Sequence, residues 1–282
     1  MPCAPSPASP SLRTNRRPAR LAPVANRTTE ALVLRSVAFG ESDLIVHLLV
    51  PDAGRLTAIA KGARRSVRRF PGTLDLFNHL RVQVAHRRTA GLARLEQATL
   101  IEAFTSLRRE PARFALGCYL LELLDRLAPE GGARADVRRL FGFALAALHI
   151  VATLRRIDSR LRTLLELRAL DALGLCPELR DCVRCGASLD SGAGEVAFSV
   201  ADGGPVCGRC TRDAESFLRV HLGTLRALEQ GLRFDLERLD RLVLSRQTLE
   251  ESRRILDRFQ RFHTGVELRS ERFLDEMLGD AR

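Results

Sequence analysis

Four of the seven cysteines stand in two CxxC pairs, and this arrangement constrains the fold more than any other feature of the sequence. Cys182 and Cys185 form the first pair, Cys207 and Cys210 form the second, and 21 residues separate the pairs. One CxxC turn places two thiolates on an edge of a tetrahedron, and a second turn supplies the opposite edge. We therefore expect one structural Zn²⁺, because four thiolates leave no position open for water. The alternative is four reduced cysteines in an eroded site.

The remaining cysteines give little sign of a disulfide framework. Cys176 fits a core position better than a ligand position, and we assign no role to Cys3 and Cys118. An odd number of cysteines and an N-terminus without the apolar core of a signal peptide indicate a reducing cytoplasm. No apolar run reaches the roughly 18 to 20 residues that a membrane span needs, so no membrane is expected as a partner.

Residues 29–105 have the pattern of a small β domain. Leu80, Val82 and Val84 alternate with polar side chains, as in a half-buried strand. The turn Asp52-Ala-Gly54 makes a tight link between the second and third apolar runs. The five runs cover residues 31–37, 44–50, 55–60, 74–84 and 92–98. Five short strands in about 75 residues predict a closed barrel of the OB-fold type.

From Pro111 the apolar period becomes helical. The first helix is expected to end before Pro129, and further helices are expected over residues 136–154, over 159–173, and from 213 to the end. The expected fold class is α+β: an N-terminal five-stranded OB-fold barrel and a helical C-terminal domain with an inserted four-cysteine zinc finger. The expected boundaries are 29–105 for the barrel, 106–175 and 213–282 for the helical domain, and 176–212 for the zinc finger.

The net charge of +11 is concentrated at the front of the chain. Residues 1–29 hold five Arg and no acid, and residues 30–100 hold eleven basic and six acidic side chains. Residues 101–282 are almost balanced, with 29 basic and 28 acidic side chains. A high-GC coding bias explains 44 Arg against one Lys, but it does not explain this uneven distribution. The pattern favours nucleic acid as partner over an anionic membrane surface or no polyanion.

Part of that surplus lies in residues 1–28, which are rich in Pro, Ser, Ala and Arg and contain almost nothing to bury. We expect this segment to be a disordered basic leader. An organellar transit peptide and a misassigned start codon are the two other interpretations of the same composition.

The densest basic run lies in residues 61–72, between the third and fourth predicted strands. Gly62, Pro71 and Gly72 mark it as a loop, and spread cations in a loop can follow phosphates without reading bases. A solvated charged loop without a ligand is the alternative. The five cations are Lys61, Arg64, Arg65, Arg68 and Arg69. Lys61 is the only lysine of the chain, which suggests that an ammonium is needed there.

Aromatic side chains are scarce, although single-strand binders usually stack bases on them. The chain has no Trp, one Tyr and thirteen Phe. In the barrel segment the candidates are Phe39, Phe70 and Phe77, and each fits a core position at least as well. We therefore expect electrostatics to dominate binding and sequence preference to be slight.

The single lysine removes several classes of enzyme. A Walker A motif needs Lys followed by Ser or Thr, and Lys61 is followed by Gly62, so no nucleotide is expected. Lysine-nucleophile chemistry would have to use the same side chain. The sequence contains no HExxH and no GxSxG, and its six His are scattered. We expect no enzymatic activity.

Several segments together resemble the bacterial recombination mediator RecO family over residues 30–275. The segments are Ala31-Leu-Val-Leu-Arg35, Gly40-Glu-Ser-Asp-Leu-Ile-Val46, Gly54-Arg-Leu-Thr-Ala-Ile-Ala-Lys-Gly-Ala-Arg-Arg65, Tyr119-Leu-Leu-Glu-Leu-Leu124 and Leu173-Gly-Leu-Cys-Pro-Glu-Leu179. The cysteine pairs follow the last of these, as in the zinc segment of the family. The leader is not a family feature, and the zinc cysteines are not universal in the family, which favours a structural metal.

The resemblance implies a DNA repair and recombination function, and the absence of a Walker A motif indicates that this function does not use ATP. It implies binding to single- and double-stranded DNA, annealing of complementary strands, and loading of recombinase onto DNA coated by single-strand-binding protein, as in RecFOR-type gap repair. The implied partners are RecR and the C-terminal tail of single-strand-binding protein, in a nucleoid-associated, cytoplasmic setting. The expected DNA-binding residues are Arg35, Lys61, Arg64, Arg65, Arg68 and Arg69.

Two other functions remain open from the residues alone. A zinc-ribbon transcription or RNA-binding factor would prefer RNA or a specific sequence, and it would not anneal coated DNA. A metallo-enzyme acting on nucleic acid would need an open metal site, which four thiolates do not provide.

Overall fold

The computed structural model describes residues 25–86, 92–189, 194–211 and 216–279. Five strands of its N-terminal part close into a barrel in the order β1-β2-β3-β5-β4. They are β1 Ala25–Phe39, β2 Asp43–Val50, β3 Gly54–Ala60, β4 His79–His86 and β5 Ala93–Glu102. The parallel pair β3 and β5 closes the barrel, and the other neighbouring pairs are antiparallel. This arrangement confirms the predicted five-stranded OB-fold barrel.

The first strand corrects the predicted leader, whose residues 1–24 lie outside the described part of the chain. Residues 25–28 were expected to be disordered, but they pair with β4, from Ala25 opposite His86 to Thr28 opposite Gln83. An ion pair also joins Arg27 to Asp52 in the turn between β2 and β3. The segment is ordered by backbone hydrogen bonds to a distant strand, which its own polar composition does not reveal.

The fourth predicted strand, over residues 74–84, begins too early. Phe77 has a φ of +69°, a left-handed conformation that a strand does not accommodate, and β4 starts two residues later. The apolar run divides between two cores, since Leu74 packs inside the barrel and Phe77 packs among the helices. Leu74 and Phe77 are therefore buried, as apolar residues are expected to be, but they precede the strand instead of belonging to it.

Six helices are found in the described part of the C-terminal region. They are α1 Pro111–Leu127, α2 Arg134–Thr153, α3 Ser159–Ala172, α4 Leu222–Arg233, α5 Arg246–Thr264 and α6 Ser270–Leu278. The first three confirm the predicted helices within two residues at each end. None of the described helices is long and apolar enough to cross a membrane.

A small sheet separates α3 from α4. Its strands are β6 Glu195–Ser199, β7 Gly204–Val206 and β8 Leu218–His221, in the order β7-β6-β8. The expectation that helix resumes from residue 213 is wrong at β8, because Leu218 and Val220 pair with β6 and bury their side chains. Four residues are too few for an alternating pattern to be distinguished from a helical one.

The barrel is joined to the helices at the turn between β2 and β3. Arg55 donates its backbone N–H to the carbonyl of Pro129 at 2.8 Å, and Gly131 donates to Ala53 at 2.8 Å. Gly54 has a φ of +69°, and a Cβ at this position would lie 2.2 Å from the Pro129 carbonyl oxygen. The turn can approach the α1–α2 connection this closely only because residue 54 has no side chain.

The C-terminal helix α6 is held to the other helices by charged groups. Glu122 of α1 accepts the N–H groups of Arg269 and Ser270, at 3.0 and 2.8 Å, at the start of α6. The buried Arg162 of α3 pairs with Asp275 of α6. A buried guanidinium that lost this carboxylate would be costly, so the pair fixes α6 in place.

Candidate nucleic-acid interface and metal site

Residues 61–72, called the basic loop from here on, follow β3 directly and form the first part of the connection to β4. Two of its side chains, Ala63 and Phe70, are buried in the barrel core. Ala98 of β5 donates its N–H to the carbonyl of Arg69 at 3.0 Å. The loop is therefore attached to the barrel at several points along its length, and its cations project from a fixed backbone.

Asp43, at the start of β2, braces the beginning of the basic loop. Its two carboxylate oxygens accept a hydrogen bond from Lys61 Nζ at 2.7 Å and one from the Gly62 N–H at 2.8 Å. These bonds lower the pKa of the Asp43 carboxyl, with the Lys61 contact as the largest cause. Arg69 adds a further brace, since its guanidinium donates to the Lys61 carbonyl at 2.6 Å. Lys61 and Arg69 thus hold the loop in shape.

The other three cations of the basic loop are exposed to solvent. Arg64 donates to the backbone carbonyl of Glu41 at 3.3 Å and so keeps its charge uncompensated by a carboxylate. Arg65 lies 3.9 Å from the Glu41 carboxylate, a contact between two strongly exposed groups that contributes little. Arg68 has no ion-pair partner among the described residues. These three guanidiniums are the ones available to an anionic ligand.

A groove of about 640 Å³ runs beside the basic loop. One wall is made by Arg64, Arg65 and Val67 of the loop, and Ser36 of β1 and Leu44 of β2 line it as well. The groove combines two exposed cations with apolar surface.

Arg35, the sixth residue predicted to bind DNA, lies apart from the basic loop. It lines a separate cleft of about 390 Å³ between the barrel and α1, together with Arg126 and Arg269. The carboxylates in this cleft are already engaged: Glu122 by the start of α6, and Asp125 by His47 of β2 at 2.6 Å. The three arginines are exposed and have no ion-pair partner within the described ranges.

Sequence reasoning missed Arg126 and Arg269. Each is a single cation on an otherwise unremarkable helical segment, in the part of the chain whose total charge is almost balanced. Their proximity to Arg35 comes from the packing of α1 against both β1 and α6, and no local pattern in the sequence signals it.

The three aromatic candidates of the barrel differ in exposure. Phe70 and Phe77 are core residues, with 3% and 0% of their surface exposed. Phe39, at the end of β1, keeps 50% of its surface exposed. Core packing therefore accounts for two of the three rings and leaves one ring open to solvent.

The two CxxC pairs come together in space. The sulfur atoms of Cys182, Cys185, Cys207 and Cys210 all lie within 4.8 Å of one another. The sulfurs of Cys185 and Cys207 are 3.7 Å apart, close to the edge of about 3.8 Å that tetrahedral Zn–S bonds define. Cys176 is outside this cluster and packs against the apolar core around β6 and α5, as the sequence predicted.

The local fold brings the second pair over the first by a hairpin of β6 and β7. The N–H of Val183 donates to the carbonyl of Pro205 at 3.0 Å, and Arg184 donates to the carbonyl of Cys210 at 2.8 Å. A Cβ on Gly204 would lie 2.4 Å from the Val183 side chain, so only glycine permits this approach. The two turns are thus held together by a backbone hydrogen bond and by a hydrogen bond from the Arg184 side chain.

The thiols of this cluster have strongly perturbed acidities. Burial opposes a charge on Cys182, but backbone N–H donors, that of Cys207 foremost, lower the pKa of its thiol to about 6. Hydrogen bonds to Cys185 and Cys207 raise the pKa of Cys210 to about 12. Neighbouring thiolates repel one another, and a divalent cation among them removes that repulsion. The four sulfur atoms therefore fit a site for one metal ion, with no coordination position left open.

The barrel, the helical C-terminal part and the inserted cysteine cluster define the chain as an OB-fold protein of the α+β class, with a four-cysteine group close enough to hold one metal ion. Two family models cover nearly all of the described chain: "Recombination protein O N terminal" matches residues 25–104, and "Recombination protein O C terminal" matches residues 108–272. The chain belongs to the RecO family of DNA repair proteins.

Individual relatives agree with this assignment. The chain is 34% identical over 248 residues to the DNA repair protein RecO of Symbiobacterium thermophilum, a match that covers 88% of this chain and 96% of that relative. It is 35% identical over 246 residues to the DNA repair protein RecO of Anaeromyxobacter dehalogenans strain 2CP-C, covering 87% and 94%. The match to the DNA repair protein RecO of Bacillus velezensis is 30% over 253 residues, covering 88% and 93%.

Proposed function

We propose that this member of the RecO family is a mediator of DNA repair and homologous recombination that binds single- and double-stranded DNA. It anneals complementary strands and helps to load recombinase onto DNA coated by single-strand-binding protein. The observation that carries the proposal is the basic loop, which presents three exposed guanidiniums from a braced backbone on a closed barrel. Cations of this kind bind phosphates of any sequence, which suits a protein that must bind both complementary strands.

The six predicted DNA-binding residues have different roles in this proposal. Arg64, Arg65 and Arg68 contact phosphates directly, because they are exposed and none of them has more than a weak, exposed ion pair. Lys61 and Arg69 fix the loop and add to its positive field. Arg35 binds a phosphate in its own cleft beside α1.

Annealing by such a surface needs no nucleotide. Two complementary strands repel through their phosphates, and neutralising both backbones lowers this barrier to contact. The free energy then comes from base pairing itself, at roughly 1.4 kcal/mol per stacked step. We accordingly propose an ATP-independent mediator that performs no covalent chemistry.

We also propose that the cysteine cluster holds one Zn²⁺ with a structural role. Cys182, Cys185, Cys207 and Cys210 would fill its coordination sphere, and the ion would supply a cross-link between the two CxxC turns. The site would stabilise the β6–β7–β8 sheet and the helices packed on it.

The family membership supports two protein partners, RecR and the acidic C-terminal tail of single-strand-binding protein. An acidic tail is attracted by the same positive field that attracts DNA. We propose that the protein meets both partners on DNA, in association with the nucleoid.

Annealing of complementary strands coated with single-strand-binding protein, without nucleotide, tests the proposal. Wild type should accelerate annealing, and a variant with Ala at the five loop cations should lose most of this acceleration while keeping its helical content. The five positions are Lys61, Arg64, Arg65, Arg68 and Arg69. If the two proteins behave alike, the basic loop is not the annealing surface. A preference for RNA in competition binding, with no annealing, would favour an RNA-binding or transcription factor instead.

A further inference from the structure

Phe39 is the one aromatic ring of the described barrel that is open to solvent. It is 50% exposed at the end of β1, and Val37, two residues earlier on the same face, is 38% exposed. Both follow the bulge of β1 between Val33 and Arg35 and precede the β1–β2 turn. Large apolar side chains that remain exposed side by side mark an interaction surface more often than a lone one does.

The strand register places this ring next to the basic loop. Phe39 is directly opposite Asp43 in the antiparallel β1–β2 pair, so the two side chains lie on the same face. Asp43 in turn bonds Lys61 Nζ at 2.7 Å and the N–H of Gly62 at 2.8 Å. Phe39, Asp43 and Lys61 are therefore neighbours in this order, from the end of β1 through the start of β2 to the basic loop.

The same face of β1 leads from the ring to the second group of cations. Arg35, Val37 and Phe39 alternate along the strand, and about 13 Å separate the first from the last. Arg35 lines the cleft that also contains Arg126 and Arg269. The strip of Val37 and Phe39 thus lies between two groups of charged residues. At one end is the Arg35 cleft, and at the other are the Asp43–Lys61 pair and the loop arginines that reach Glu41 in the β1–β2 turn.

We propose that Phe39 is a stacking platform for an unpaired base, and that single-stranded DNA follows this face of β1 from the basic loop to the Arg35 cleft. The proposal deepens the proposed function and rests on DNA binding at the basic loop. Phosphates lie against the cations on either side, and one base lies on the ring. Charge complementarity selects nucleic acid over an apolar protein segment, because the exposed loop arginines lie near one end of the strip and the arginines of the Arg35 cleft lie at the other.

The Phe39 ring gives the protein a preference for single-stranded over double-stranded DNA, which the cations alone cannot give. Bases in a duplex are already stacked on their neighbours, whereas bases of a single strand present a free face to an aromatic ring. Phe39 therefore stabilises the complex with a single strand, and the basic loop stabilises complexes with both forms of DNA.

Equilibrium binding of the full chain to an oligo(dT) strand of roughly 16 nucleotides and to a duplex of the same length tests this inference. Phe39→Ala should weaken single-strand binding by roughly 5- to 150-fold, the effect of losing one base–aromatic stack. Duplex binding should change less than about twofold, and the salt dependence should stay as in wild type, because no cation is lost. The matched control is Phe262→Ala on α5, where a ring 61% exposed is removed and neither affinity should change.

A second readout does not depend on the alanine variant. The chain has no Trp, so Phe39→Trp introduces a single tryptophan at the proposed site, which can be excited separately from the one Tyr. Its emission should be quenched by the single strand and not by the duplex, and Phe262→Trp should respond to neither. Phe39→Leu separates stacking from apolar contact, and it should behave like the alanine variant.

The outcomes separate the inference from the proposed function. Unchanged single-strand affinity in Phe39→Ala, equal losses for single strand and duplex, or unquenched emission from the Phe39→Trp variant would each overturn the stacking role. Quenching and weakened single-strand binding would support it. If the variant without the five loop cations binds single-stranded and duplex DNA like wild type, the proposed function is wrong, regardless of the results with the Phe39 variants.

Discussion

Replacing Arg64, Arg65 and Arg68 together by Ala should weaken the salt dependence of duplex binding by a calculable amount. In the structure Lys61 is paired with Asp43, and Arg69 is bonded within the loop, so three guanidiniums remain for phosphates. Each phosphate contact contributes about −0.9 to the slope of log K against log salt, so the triple variant should lose about 2.7 from the magnitude of that slope. Between roughly 50 and 200 mM salt, the affinity of wild type should then fall about 40-fold more than that of the variant.

Fluorescence anisotropy with a labelled duplex, titrated at several salt concentrations, measures this slope. The matched control replaces three exposed cations of the helical part, Arg238, Arg246 and Arg272, and so removes the same formal charge. The slope of the control should stay within about 0.5 of wild type, because phosphates are not expected there. Equal slope changes in both variants would refute the reasoning, since the charge of the whole protein rather than the loop would then determine binding.

Three further predictions concern the metal, the barrel joint and the loop brace. Cys182→Ser should abolish stoichiometric zinc by elemental analysis, whereas Cys176→Ser should retain it; zinc retained in the first variant would contradict the four-sulfur site. Gly54→Ala should lower the free energy of unfolding by about 2 kcal/mol or more in denaturant titrations, because the added Cβ would clash with the Pro129 carbonyl. Gly40→Ala, whose added Cβ has no atom within 4 Å, should lower it by about 1 kcal/mol. Equal losses in the two variants would contradict the close approach of Gly54 to Pro129. Asp43→Asn should lower the melting temperature at neutral pH. Because folding lowers the pKa of the Asp43 carboxyl, the ionised carboxylate stabilises the folded protein above its ordinary pKa, and this stabilisation is lost as the pH falls through the folded pKa. The melting temperatures of variant and wild type should therefore become equal at low pH, and a constant difference at all pH values would contradict the ion pair.

Local patterns in the sequence were sufficient to predict the barrel and the cluster of four cysteines. Strand alternation and a tight turn at Gly54 are properties of neighbouring residues, and CxxC spacing fixes two ligands within one turn. These signals predicted the OB-fold and the group of four sulfurs. They also located the basic loop, because five cations in nine residues form a contiguous run.

What the sequence could not show depends on contacts between distant residues. Residues 25–28 are ordered only by pairing with β4, and β8 exists only through its pairing with β6. The exposure of Phe39, the brace from Asp43 to Lys61, and the position of Arg35 beside α1 all arise from tertiary packing. Phe70 and Phe77 are core residues and Phe39 is exposed, but amino-acid composition does not distinguish these three rings.

Hydrogen–deuterium exchange with and without a short single strand shows which backbone segments DNA covers. The account predicts slower exchange in peptides from the end of β1, the start of β2 and residues 61–72, with little change in α4 and α5. Protection confined to the helices or to the cysteine cluster, with unchanged exchange in the basic loop, would contradict the claim that this face of the barrel binds DNA.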